Sequence, residues 1–168
     1  MGFCQPQRTK KQGTRKRVSI SGKYMNNDKI GSGMIYNSCR SFILLSNSKS
    51  ILIIEDQTNI RELYIIYLSK LGITIYSAED GKEAFELAKE KKPDLIITDL
   101  FLPSITGFDL IYMFRNDCSF LTTPIIVISS SSQREHITEC INLGATDYMI
   151  KPASITKLEQ KVKKLLNL

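Results

Sequence analysis

The chain has 168 residues, 42% hydrophobic and 24% charged, with a formal net charge of +6 and one histidine. This is a globular composition with room for one ordinary domain and a tail, and it excludes a disordered or collagen-like chain. The longest aliphatic runs, such as Ile51 to Ile54, are four residues against the roughly 18 a spanning helix needs, and the first residues lack the apolar stretch of a secretory leader. No membrane span and a cytoplasmic location are therefore expected. The cysteines (Cys4, Cys39, Cys118, Cys140) have no metal-type spacing, which fits reduced thiols.

The charge is divided unevenly. Residues 1–50 hold ten Lys/Arg against one acid, Asp28, a balance of +9; the remainder holds 13 Lys/Arg and 16 Asp/Glu, a balance of −3. Residues 1–49 are rich in Ser, Asn, Gly and Gln, which predicts a basic, disordered extension ahead of a domain at 50–168. It carries one apolar patch, Phe42-Ile43-Leu44-Leu45, before a polar linker that includes Lys49. Tethering or solubilising is one reading of this arm. Binding to nucleic acid or anionic lipid through Arg15-Lys16-Arg17 is another. Gly31-Ser32-Gly33 lacks the context of a nucleotide loop, and Pro6 stands where a myristoylation signal needs Ser or Thr.

From Ile51 the hydrophobic period alternates. Ile51 to Ile54 is a short aliphatic strand. Ile60, Leu63, Tyr64, Tyr67, Leu68 and Leu71 form one face of a helix, which Gly72 closes as a cap. Ile73 to Tyr76 is β-rich. Ala84, Leu87 and Ala88 mark a second helix, ended before Pro93. Leu95 to Ile97 is a third strand, and a helix around Phe108 to Phe114 follows Gly107. Ile125 to Ile128 is a fourth strand. Ile137, Cys140 and Ile141 mark a helix stopped by Gly144. Tyr148 to Ile150 is a fifth strand, and Ile155, Leu158, Val162, Leu165 and Leu166 form a last helix with Ser154 as its N-cap. Aliphatic strands alternating with helices imply a parallel sheet covered on both faces. Sites in such sheets lie at the carboxyl ends of the strands.

Glu55 and Asp56 follow the first strand, Asp99 the third, Ser129 the fourth and Lys151 the fifth. Three carboxylates on one rim require a cation. Oxygen ligands without His or Cys select Mg²⁺ or Mn²⁺. A lysine and a hydroxyl beside such an ion suit a dianionic phosphoryl group, which a carboxylate can accept as an aspartyl phosphate. Each residue also has an ordinary alternative. Asp99 could cap a strand end, and Glu55 and Asp56 could complement a helix dipole. Lys151 could be a surface charge, Ser129 part of a Ser129–Ser132 turn, and Tyr148 plain packing. His136 reads as a solvated surface residue.

Four segments together resemble the receiver domain of two-component response regulators. They are Ile51 to Asp56, Asp94 to Pro103 with Gly107, Pro124 to Ser129, and Gly144 to Pro152. The resemblance implies a flavodoxin-like doubly wound (βα)5 fold, a five-stranded parallel sheet in the order 2-1-3-4-5. It implies that Asp99 is the phosphoacceptor. Asp56 would ligate the metal directly, Glu55 through water, and the Phe101 carbonyl would complete the set. Ser129 matches the switch hydroxyl, Tyr148 the rotating aromatic, Lys151 the phosphate-binding lysine and Pro152 the cis-proline position. The implied donor is a phosphohistidine on a sensor kinase or a phosphotransfer protein.

The implied function is a phosphorylation-switched signalling domain, not an enzyme beyond its own phosphoryl transfer and dephosphorylation. With the sequence ending after the last helix, output is expected through contact with an unknown protein target. A phosphorylation-independent receiver-fold module and a nucleic-acid binder using the basic arm are the alternatives. Three departures stand out: Glu55 replaces the commoner Asp, Ser130 replaces a small Ala, and Ser104-Ile105-Thr106 lacks acidic character. Deleting residues 1–48 is expected to leave a folded domain, since every periodic element lies beyond them; thermal melts of the shortened chain, unchanged from full length, check this.

Overall fold

The structure is a computed structural model that describes residues 49–168. The basic extension expected over residues 1–49, with the Phe42 to Leu45 patch, lies outside the described residues apart from Lys49. Ten elements alternate along the chain: β1 (Ser50–Ile54), α1 (Thr58–Ser69), β2 (Thr74–Ala78), α2 (Gly81–Lys91), β3 (Leu95–Thr98), α3 (Gly107–Asn116), β4 (Ile125–Ser129), α4 (Arg134–Leu143), β5 (Asp147–Ile150) and α5 (Ile155–Leu166). The strands form one parallel sheet in the order β2-β1-β3-β4-β5, the expected doubly wound arrangement.

The pleat explains why the central strands are aliphatic at every position. Leu52, Ile54, Ile96 and Val127 point to one face, where Ala84 and Ala88 of α2, Leu110, Ile111 and Phe114 of α3, and Cys140 of α4 cover them. Ile51, Ile53, Ile97, Ile126 and Ile128 point to the other, under Tyr64 and Leu68 of α1 and Leu158, Val162 and Leu166 of α5. Both faces need an apolar residue, so no alternation is left to read. Each large aliphatic side chain so buried contributes roughly 1.5–3 kcal/mol.

Helix ends follow local chemistry. Asp80 caps α2 by accepting from Lys82 N and Glu83 N, Thr106 caps α3, and Ser154 caps α5 as expected. Two details of α1 differ from the sequence reading. The helix ends at Ser69 with Lys70 as its cap, and Gly72, at φ +69°, instead turns the chain into β2. Leu63 and Tyr67 are exposed, whereas Arg61 is buried. The apolar stripe on α1 is wider than the strip the sheet covers, and Arg61 lies on the covered line, three residues before Tyr64 and seven before Leu68.

The sheet also sets the site. The ladder runs one residue past several strand ends: Glu55 N–H donates to Ala78 O, Asp99 N–H to Ile54 O, and Lys151 N–H to Ser129 O. The residues just beyond β1, β3 and β5 are thus held by backbone bonds before any side-chain contact forms. At the opposite end Asp94 accepts from Lys49 Nζ and Ser50 N, both at 2.9 Å, and pins the entry of β1. Lys49 is therefore part of the domain rather than linker.

Gly107 starts α3 hard against the strand end. Its N–H donates to Leu100 O, and a Cβ there would lie 2.4 Å from Asp99 O and 2.6 Å from Leu100 Cα. The main chain at Asp99 and Leu100, tied to β1 by the Asp99 N–H bond to Ile54 O, cannot yield that distance. Gly107→Ala is expected to cost about 1–3 kcal/mol or more, the range for overpacking a buried site, measured as a lower urea midpoint.

Candidate functional site

Three ionisable side chains meet in a nearly closed space at the strand ends. Lys151 Nζ lies 2.6 Å from Asp99 Oδ2 and 2.7 Å and 2.9 Å from the two oxygens of Glu55. Side-chain exposure is 2% for Glu55, 5% for Asp99 and 11% for Lys151. Charges this buried persist only when paired. Asp99 Oδ1 points the other way and accepts from Leu100 N at 2.5 Å and Phe101 N at 3.3 Å. The carboxylate is therefore fixed at both oxygens, with Thr98 Oγ1 donating to the Asp99 carbonyl behind it.

Burial and charge pull these groups in different directions. Burial raises the Glu55 pKa above its ordinary value of 4.5, outweighing the Lys151 hydrogen bond and charge, and Asp99 adds to the rise. Burial alone would lower the Lys151 pKa, but its hydrogen bonds to Asp99 and Glu55 hold it above the usual value. Lys151 remains an ammonium, and Glu55 is the strained partner.

Asp56 completes the acidic rim from the exposed side. Glu55, Asp56 and Asp99 each offer a carboxylate oxygen, all within 4.8 Å of one another. The donor set is oxygen only, and three carboxylates against one ammonium leave a net charge of −2. That composition fits a divalent hard cation such as Mg²⁺ or Mn²⁺, with Asp56 open to solvent and waters. Phe101, whose carbonyl the sequence reading adds to the set, lies with its main chain at the Asp99 carboxylate and its ring exposed.

Ser129 and Tyr148 both bond to the neighbouring loop after β4. Ser129 is fully buried at the end of β4, and its Oγ accepts from Ser131 N at 3.3 Å. Tyr148 is half-buried on β5 and donates its hydroxyl to Ser131 O at 2.8 Å. Both bonds converge on Ser131, which sequence reasoning passed over as one of four serines. Ser130 is exposed, and the Lys151–Pro152 peptide is cis.

His136 is not a freely solvated residue. It is half-buried in the first turn of α4, its Nδ1 is 2.8 Å from Ser131 Oγ, and its ring meets Phe101 and Phe108 edge-on at 6.3 Å and 5.6 Å. The aromatic partners lie some 30 residues earlier in the sequence, so only the five-residue Ser131–His136 spacing hinted at the contact.

Arg61 was also missed. Its guanidinium donates to Glu55 O at 2.7 Å and to Glu79 Oε1 at 2.5 Å. A cation on the covered line of α1 needs anionic or carbonyl partners close by, a signal that becomes readable only once the covered width of the helix is known.

Comparison with known proteins places these residues in context. A family model described as the response regulator receiver domain matches residues 51–163. The transcriptional regulatory protein SrrA of Staphylococcus aureus is 35% identical over 119 residues, 71% of this chain and 48% of its own. Among solved structures, the chemotaxis response regulator CheY4 of Vibrio cholerae has a TM-score of 0.67 at 27% identity, covering 71% of this chain and 99% of that one. The BeF3-activated receiver domain of RstA from Klebsiella pneumoniae has a TM-score of 0.66 at 25% identity, covering 71% and 100%. The chain spans about half the length of the curated relatives it matches.

The Glu55 pKa gives a pH test. Folding raises it, so this group's contribution to stability is greatest below the unfolded value near 4.5 and is lost as pH rises through the folded value. Glu55→Gln is expected to raise the urea midpoint of the metal-free protein at neutral pH. The advantage should shrink as pH falls toward 4.5, measured by urea melts in a chelator across a pH series.

Proposed function

The chain belongs to the response regulator receiver domain family, and from that membership we propose that it is a phosphorylation-controlled switch of a two-component relay, with Asp99 as phosphoacceptor. The observation that carries the assignment is Lys151 bridging Asp99 and Glu55 beside Asp56. This arrangement holds two buried carboxylates against one fixed ammonium, beside an all-oxygen donor set suited to a cation.

An Asp99 oxygen attacks the phosphorus of a phosphohistidine carried by a sensor kinase or a phosphotransfer protein. The P–N bond breaks as the P–O bond forms, and the donor histidine leaves as imidazole. Leu100 N–H and Phe101 N–H keep the carboxylate aimed during the attack. Lys151 already contacts Asp99 and pairs with the incoming dianion. Mg²⁺ or Mn²⁺ held by Asp56, Asp99, Glu55 and the Phe101 carbonyl would neutralise phosphoryl oxygens when bound. A structural relative, the RstA receiver domain, is described in a BeF3-activated form, which supports reading this fold as one that switches between states.

Ser129 then turns its hydroxyl toward the new oxygens. Doing so releases the Ser131 N–H, and the Tyr148 hydroxyl bond to Ser131 O lies on the same loop. The charge change at Asp99 is thereby passed to α4 and β5, the face offered to a downstream protein. The domain turns over no external substrate; it makes and loses its own phosphoryl group. Among the described residues no helix is long and apolar enough to cross a membrane, and we place this chemistry in the cytoplasm.

Incubation with a small phosphodonor and Mg²⁺, followed by intact-mass measurement, tests the assignment. Wild type is expected to gain one phosphoryl group and Asp99→Asn none. A wild type that never gains the mass supports a phosphorylation-independent module instead.

A further inference from the structure

We propose that Arg61 is a positioning residue for the acidic limb Glu55-Asp56, and that its ion pair with Glu79 sets the affinity of the site for a divalent cation. The inference rests on the cation reading of the site given above. Arg61 is 8% exposed on α1. One arm of its guanidinium holds the Glu55 carbonyl at 2.7 Å, and the other holds Glu79 Oε1 at 2.5 Å, with Thr58 Oγ1 at 3.4 Å. The flat fork thus ties together α1, the loop after β1 and the residue after β2, as a lysine point charge could not.

The Glu55 carbonyl lies in the peptide plane that leads into Asp56. Fixing that oxygen fixes the plane, and with it the direction in which Asp56 leaves the backbone. Asp56 needs this help: it is exposed, and among the described residues its carboxylate accepts no hydrogen bond and joins no ion pair. Glu55, by contrast, is gripped by Lys151. The member of the acidic pair most open to a cation is therefore aimed by the main chain, and Arg61 holds the main chain.

Charge alone predicts the reverse sign. A cation beside the site repels Mg²⁺, so removing it should tighten binding if Coulomb repulsion dominates. Here Glu79 already neutralises the guanidinium, leaving orientation as the larger effect. Groups that support ligands from behind typically change metal affinity 10–100-fold when removed.

The test is calorimetric titration of the full chain with MgCl2, with thermal melts run alongside. Arg61→Met is expected to raise the Mg²⁺ Kd about tenfold or more, Arg61→Lys by less, and Glu79→Gln by a few-fold. Glu79 is 64% exposed, so its variant is expected to melt near wild type and decides the matter if Arg61→Met does not fold. Unchanged or tighter Mg²⁺ binding in Glu79→Gln, or in a folded Arg61→Met, overturns the proposal even if the melting temperature drops. A wild-type chain that takes up no Mg²⁺ overturns the cation reading itself, and this inference with it.

Discussion

Lys151 sits between Asp99 and Glu55 with all three side chains nearly sealed from water, and the rim of the sheet is organised around that fact. Two buried carboxylates this close repel each other and resist ionisation. One ammonium reaching both oxygens of Glu55 and one of Asp99 makes the pair tolerable without neutralising it. The remaining negative charge, with Asp56 beside it, is of the kind a divalent cation compensates. The rise in the Glu55 pKa marks where the compensation is incomplete. The site is held ready at a cost in stability that the two packed layers on either side of the sheet offset.

Backbone geometry makes this possible. Parallel strands in register bring Ile54 level with Thr98, so Glu55 and Asp99 emerge side by side. Single ladder bonds beyond the strand ends then fix Glu55, Asp99 and Lys151 before their side chains choose rotamers. Gly107 lets α3 begin close against the Asp99 carbonyl. None of these constraints involves the chemistry directly, yet each removes freedom that would blur a contact of 2.6 Å.

The architecture was legible because strand and helix periods differ, and because strands buried on both faces leave uninterrupted aliphatic runs. The acidic pair, Asp99, Ser129 and Lys151 were legible because each follows such a run directly. Arg61 and His136 were not. Periodicity identifies the apolar line of a helix but not the width of sheet that will cover it, so Leu63 and Tyr67 read as inward-facing and the charged Arg61 carries no apolar mark of its burial. The His136 contacts depend on how the first turn of α4 meets Phe101 and Phe108, a tertiary fact with no local trace. Ser131 acquires its partners, Ser129, Gln133, His136 and Tyr148, only once the loop after β4 is folded.

The strand order has a further consequence, for self-association. Among the described residues the sheet stops at β2 and β5, and each leaves one row of backbone groups without a neighbouring strand. β2 has five residues, with Thr74 and Ser77 exposed and the Lys91 ammonium lying over the Tyr76 ring. β5 has four residues and begins with Asp147, paired to Lys161. Short edges guarded by charge offer an incoming strand few bonds and demand desolvation in return, which discourages growth by strand addition. The molecule is thus protected along the direction in which an open sheet would otherwise extend by pairing with a second chain.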